Sequence, residues 1–78
     1  MRLDQLSKGK PALVTSVAGD NLLAKRMMEM GIVPGAEVSV VRSAPFGDPI
    51  EVRVRGYSLA MRLNEAAAVE IAPIAPIA

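Results

Sequence analysis

Ile50, Val52 and Val54 alternate with Glu51, Arg53 and Arg55, a period of two that predicts a strand with one dry face. The same period runs through Ala36, Val38 and Val40 set against Glu37, Ser39 and Val41. It recurs in Tyr57, Leu59 and Met61 set against Ser58, Ala60 and Arg62. Val69 and Ile71 flank Glu70 and predict a short last strand. Near the start, Ala12 and Val14 share a parity that Val17 breaks, which predicts a first strand carrying a bulge. Gly56, lying between two alternating runs, reads as the point where one bent strand turns a barrel corner. A single segment has helical period. Leu23, Met27 and Met30 fall at i, i+4 and i+7, after Asp20-Asn21 as capping residues and before Gly31 as the left-handed stop, with Pro34 beyond. The helix is predicted at about 21–30. Leu63-Asn64-Glu65 is too short for a helix and predicts one 3₁₀ turn.

About five short strands with one helix after the first make a mainly β chain. A small, closed antiparallel barrel suits that pattern, because closure removes the exposed edges five short strands would leave. One domain is expected over residues 1–72. Residues 73–78 form a separate tail of doubled Ala-Pro-Ile character. Its two prolines favour polyproline II, which places Ile74 and Ile77 on one side. That tail is expected to dock on an apolar surface of its own barrel or of a neighbouring copy, which would be a route to self-association.

Composition narrows the chemistry. The chain has 78 residues, no cysteine and no histidine. Disulfides and thiolate chemistry are excluded, and so are the usual zinc and haem ligand sets and the commonest general base. A net charge of +1 carries no polyelectrolyte footprint. No uncharged run approaches the roughly 20 apolar residues a membrane helix needs, so direct membrane insertion is not expected and the predicted location is cytoplasmic.

Each remaining chemistry is thin. Gly31-Ile32-Val33-Pro34-Gly35 follows a helix instead of opening one and lacks the Lys-Ser/Thr of a phosphate loop, so it reads as a helix stop. Asp48 and Glu51 are the only closely spaced carboxylates that could begin a hard-cation site, and they are few for that purpose. The methionines at 27, 28, 30 and 61 suit core packing better than a soft metal. No serine or lysine has an activating partner, so no catalytic residues and no cofactor are predicted. Arg42, Arg53, Arg55 and Arg62 concentrate in the second half. The aromatic platforms of a single-strand binder are absent around them, so no nucleic-acid partner is expected.

Ala44-Pro45-Phe46-Gly47-Asp48-Pro49 is the most unusual stretch, with two prolines, a glycine and the only phenylalanine within six residues. Its shape is that of a hairpin connection. The ring at its tip has two readings, a lid folded onto a small core or an anchor offered to a partner.

Four stretches together resemble the FeoA family: Leu6–Gly9, Arg26–Gly35, Ala44–Ile50 and Arg55–Arg62. The resemblance spans about Leu3 to Ile71. Methionine stands at 27, 28 and 61 where that family usually has leucine. The resemblance implies an SH3-like barrel and a non-enzymatic accessory module of bacterial ferrous iron uptake. Its implied partner is the FeoB-type membrane transporter, which would hold the module at the inner face of the membrane. The family brings no catalytic residues. Two regions are then the candidates for partner contact. One is the helix side with Lys25, Arg26 and Glu29, leading into Ile32; the other is the loop Pro45, Phe46, Gly47, Asp48 and Pro49. A small iron-binding or metal-sensing protein is the alternative, with Asp48 and Glu51 as its carboxylates and a transition metal ion as ligand. A nucleic-acid-binding barrel is the third reading.

Overall fold

The computed structural model describes residues 1–19 and 21–74, and of Asn21 only the backbone. The expected cap at Asp20 lies outside the described residues, and so does the end of the tail, 75–78, with Ile77. A 3₁₀ turn at Leu3–Gln5 leads to β1 (Pro11–Val17), α1 (Asn21–Glu29), β2 (Glu37–Ser43), β3 (Ile50–Val54), β4 (Tyr57–Met61), α2 (Leu63–Ala66) and β5 (Val69–Pro73). The strands form one five-stranded sheet in the order β4-β3-β2-β1-β5, and every neighbouring pair is antiparallel.

The alternating residues line the core as the period of two requires. Val38, Val40, Ile50, Val52, Val54, Val69 and Ile71 are buried, together with Ala12, Val14 and Ala36. The bulge expected in β1 falls between Val14 and Ser16. A second register shift lies between Val40 and Arg42. Met27 of α1 is buried, and Leu23 and Met30 pack against the same core, so the helical stripe covers one side of the barrel.

Three sequence expectations are corrected. Gly56 does not bend a continuous strand. Arg55 (φ 48°) and Gly56 (φ 92°) both sit in the left-handed region, and Val54 pairs directly with Tyr57, so they form a two-residue hairpin turn of the primed type. Leu63–Ala66 is one turn of α-helix, not a 3₁₀ turn. Nor is the barrel closed by hydrogen bonds: β4 and β5 are the two ends of the sheet, and α2 stands in the chain between them. The ends are treated differently. The N-terminal segment covers β5, where Arg2 bridges Glu70 and the Ile71 N–H donates to the Met1 carbonyl at 2.7 Å. This placement buries Leu3 completely. The start of the expected tail also belongs to this edge. Pro73 ends β5, and the Ile74 N–H donates to the Pro11 carbonyl at 3.1 Å.

Helix α1 stops where the sequence says it should. The Ile32 N–H donates to the Met27 carbonyl at 2.9 Å and the Gly31 N–H to that of Met28 at 3.0 Å, the paired bonds of a Schellman cap. Gly31 has φ +95°, and a Cβ there would sit 2.9 Å from the Tyr57 hydroxyl oxygen. Gly31→Ala is therefore expected to cost roughly 1–3 kcal/mol from the left-handed backbone alone. Thermal unfolding checks this. At about 4–8 °C per kcal/mol for a domain this size, a melting temperature unchanged from the parent would contradict it.

Candidate partner-binding site

The β2–β3 connection is built to hold a shape. The Gly47 N–H donates to the Ala44 carbonyl at 2.7 Å and closes a tight turn over Pro45 and Phe46. Pro45 presets the first turn position, and Gly47 takes φ +89° where a side chain would be strained. The Ala44 N–H donates to the Pro49 carbonyl at 2.9 Å and ties the loop's two ends together. Asp48 then braces the loop from the side: its Oδ1 accepts from the Leu63 N–H at 3.0 Å. That amide is one of the orphan donors at the start of α2, so Asp48 serves that helix as a capping oxygen from 15 residues away in sequence.

On this braced loop the Phe46 side chain is 99% exposed. The lid reading is thereby excluded, since the ring covers nothing. Pro45 and Asp48 are exposed as well, while Gly47 and Pro49 are half-buried. An open groove of about 550 Å³ adjoins the loop, bounded by Ala44, Pro45 and Pro49 on one side and by Ser58 and Ala60 of β4 on the other.

The second candidate region is divided by the structure. Lys25, Arg26 and Glu29 are exposed, and none forms an ion pair among the described residues. Ile32 is not part of that surface. It is 0% exposed, because the Schellman cap turns the residue after Gly31 back onto Met27. Its expected role in partner contact is corrected to a core role. One surface residue escaped the sequence reading. Leu22 is 69% exposed and shares a face with the three charged residues, since 22, 25, 26 and 29 fall at i, i+3, i+4 and i+7. That spacing was the available signal, and the stronger Leu23 stripe beside it hid it.

The carboxylates proposed for a cation have other partners. Asp48 is bonded to α2, and Glu51 pairs with Arg42, Oε1 lying 2.7 Å from the guanidinium Nε. Among the described residues no three metal-ligating side chains of the His, Cys, Asp or Glu type cluster. No helix among them is long and apolar enough to cross a membrane. Asp48→Ala is expected to cost about 0.5–2 kcal/mol, the usual worth of a capping oxygen. Asp48→Asn, which keeps an acceptor, should lose less. Paired melting curves test the ranking, and equal losses would contradict the capping role.

Residues 1–73 match the FeoA domain family. The chain belongs to that family. Its members are involved in ferrous iron transport, and a relative in Porphyromonas gingivalis is a fusion of Fe(2+) transport protein A with the Fe(2+) transporter FeoB. This relative is 38% identical over 71 residues, which are 91% of this chain and 8% of the fusion protein. The chain thus spans less than a tenth of that relative's length. Among solved structures, FeoA from Chlorobium tepidum superposes with a TM-score of 0.90 at 45% identity, over 96% of this chain and 71% of that one. Stenotrophomonas maltophilia FeoA, crystallised with zinc and described as a prokaryotic SH3 domain protein, superposes with a TM-score of 0.82 at 34% identity, over 92% of this chain and 89% of that one. The fold is the SH3-like barrel that the family resemblance implies, with the five strands that the alternation predicts.

Proposed function

We propose that this FeoA chain is a non-enzymatic accessory module of ferrous iron uptake that acts by binding a FeoB-type transporter. The observation that carries the reading is Phe46, an aromatic ring fully in water on a loop braced by two backbone bonds and the Asp48 cap. An exposed ring costs nothing in folding and gains when a partner buries it. A loop held rigid in advance loses little entropy on binding. Aromatic residues with arginine nearby make up the usual energetic centre of an interface.

The fusion relative supports the class of partner. A module and a transporter joined in one chain meet at an effective concentration set by the linker, and such a fusion keeps an encounter that separate chains would make by diffusion. On this reading the loop Pro45, Phe46, Gly47, Asp48 and Pro49 supplies the anchor. The α1 face with Leu22, Lys25, Arg26 and Glu29 supplies charge complementarity around an apolar contact. Retention of detergent-solubilised FeoB-type transporter on the immobilised chain tests the proposal. Specific retention that excess free chain competes away is expected. Absence of retention under conditions where the chain is folded would overturn it.

A further inference from the structure

Strand β4 is a bare edge. Its pairing to β3 starts at the Val54–Tyr57 hairpin and runs without a shift through Val52–Leu59 to Ile50–Met61. In an antiparallel ladder the closing pair of a two-residue hairpin exchanges hydrogen bonds, and every second pair after it does the same. Tyr57, Leu59 and Met61 therefore bond inward to β3. The N–H and C=O groups of Ser58 and Ala60 point away from the sheet, and among the described residues nothing pairs with them. The opposite edge at β5 is covered by the N-terminal segment and ends in a proline. Among the described residues nothing covers β4, and its sequence, Tyr-Ser-Leu-Ala-Met, has neither proline, bulge nor charge, the devices that ordinarily keep an edge from pairing.

We infer that β4 is a self-association edge, on which a second copy of this chain adds its own β4 antiparallel about a two-fold axis at Leu59. The register follows from the pattern of free groups. Centring on Leu59 sets Ser58 opposite Ala60 of the other copy, so the outward N–H and C=O of each meet and four hydrogen bonds form. The side chains fit the same register. On the outer face only the small Ser58 and Ala60 meet across the axis, and both are exposed beside the open groove of the β2–β3 loop. Behind them stand opposite charges. Arg53 is the β3 neighbour of Ser58, and Glu51 is the β3 neighbour of Ala60. In the pair, the row therefore reads Arg53, Ser58, then Ala60 and Glu51 of the second copy, and its mirror repeats it. Arg53 and the opposing Glu51 are three strand spacings apart, about 14 Å between backbones, and Glu51 keeps its own Arg42 as ion-pair partner, so the row contributes a matched arrangement of charge and not a direct ion pair. Each copy supplies one of each charge, so the arrangement is self-complementary, as an isologous contact must be.

Sedimentation equilibrium over a concentration series tests this. The full chain is expected to shift from its 8.2 kDa monomer mass toward twice that value as concentration rises. Ala60→Lys, which places a charge beside the axis, opposite Ser58 of the other copy, at an exposed position, is expected to weaken association at least tenfold while keeping the melting curve. The chain made by chemical synthesis with an N-methyl group on Ala60 removes one outward donor without touching the bonds to β3, and should weaken association likewise. A chain that stays monomeric throughout overturns the inference. So does a dimer that both changes leave intact, which would place self-association on another surface such as the tail. Monomer alone, with the Ser58 and Ala60 amides protected from exchange only when transporter is added, assigns the edge to the partner and overturns it too.

Discussion

Phe46→Ala is expected to leave the chain folded with an unchanged melting temperature, and to weaken binding to the FeoB-type transporter about 30-fold. The two halves of this expectation come from one number. The ring is 99% exposed, so its removal opens no cavity and forfeits no contact inside the chain. A central aromatic anchor in an interface is worth roughly 2 kcal/mol or more on truncation, and 2 kcal/mol is about a 30-fold change in dissociation constant. The loop itself does not depend on the ring, because its bonds run between backbone groups and through Asp48. Arg26→Glu should act in the same direction with a smaller loss, from reversed charge on the α1 face. A melting curve paired with a titration for each variant decides the matter. Parental affinity in folded Phe46→Ala would remove the loop from the interface.

Ile32→Ala has the opposite profile. Ile32 is fully buried against Met27 at the end of α1, and large-to-small changes at such sites cost about 2–5 kcal/mol. A domain of this length has a total stability of only about 4–12 kcal/mol, so one substitution removes a large part of it. The melting temperature should fall by at least about 10 °C, and the urea midpoint should fall with it. Transporter affinity measured well below the new midpoint should match the parent, because the side chain never reaches the surface. A stable Ile32→Ala chain with weakened binding would restore Ile32 to the contact surface and contradict its core assignment.

These two residues also show what the sequence could and could not disclose. Period-two alternation is a direct image of a half-buried strand, so Val52 and Val54 or Val69 and Ile71 were placed correctly by parity alone. The Leu23, Met27 and Met30 stripe was equally plain. Burial outside a repeating element is harder to see. Ile32 follows the helix stop, and only the Schellman geometry sends it inward. Leu3 lies between Arg2 and Asp4 in a segment with no repeating period, and it is covered because Met1 and Arg2 pair with β5. The Arg55-Gly56 turn is hard to see in the sequence because arginine is an unusual residue for a positive φ, where Asn-Gly or Asp-Gly would announce a hairpin. A parity change was nonetheless present, since Val54 faces inward at an even position and Met61 at an odd one. At the candidate site, the loop was legible as an anomaly. Asp48 reads from the sequence as a metal or partner residue, and its bond to Leu63 leaves no trace there, because it joins residues that only the fold brings together.

The most direct test of the central claim is a backbone amide NMR titration of the isotopically labelled chain with FeoB-type transporter in detergent micelles. Perturbations are expected at residues 44–49 and along the exposed face of α1, with the amides of Val38, Val52 and Ile71 in the barrel interior unmoved. Saturating perturbations confined to other surfaces, or none at all with both components folded, would contradict the account.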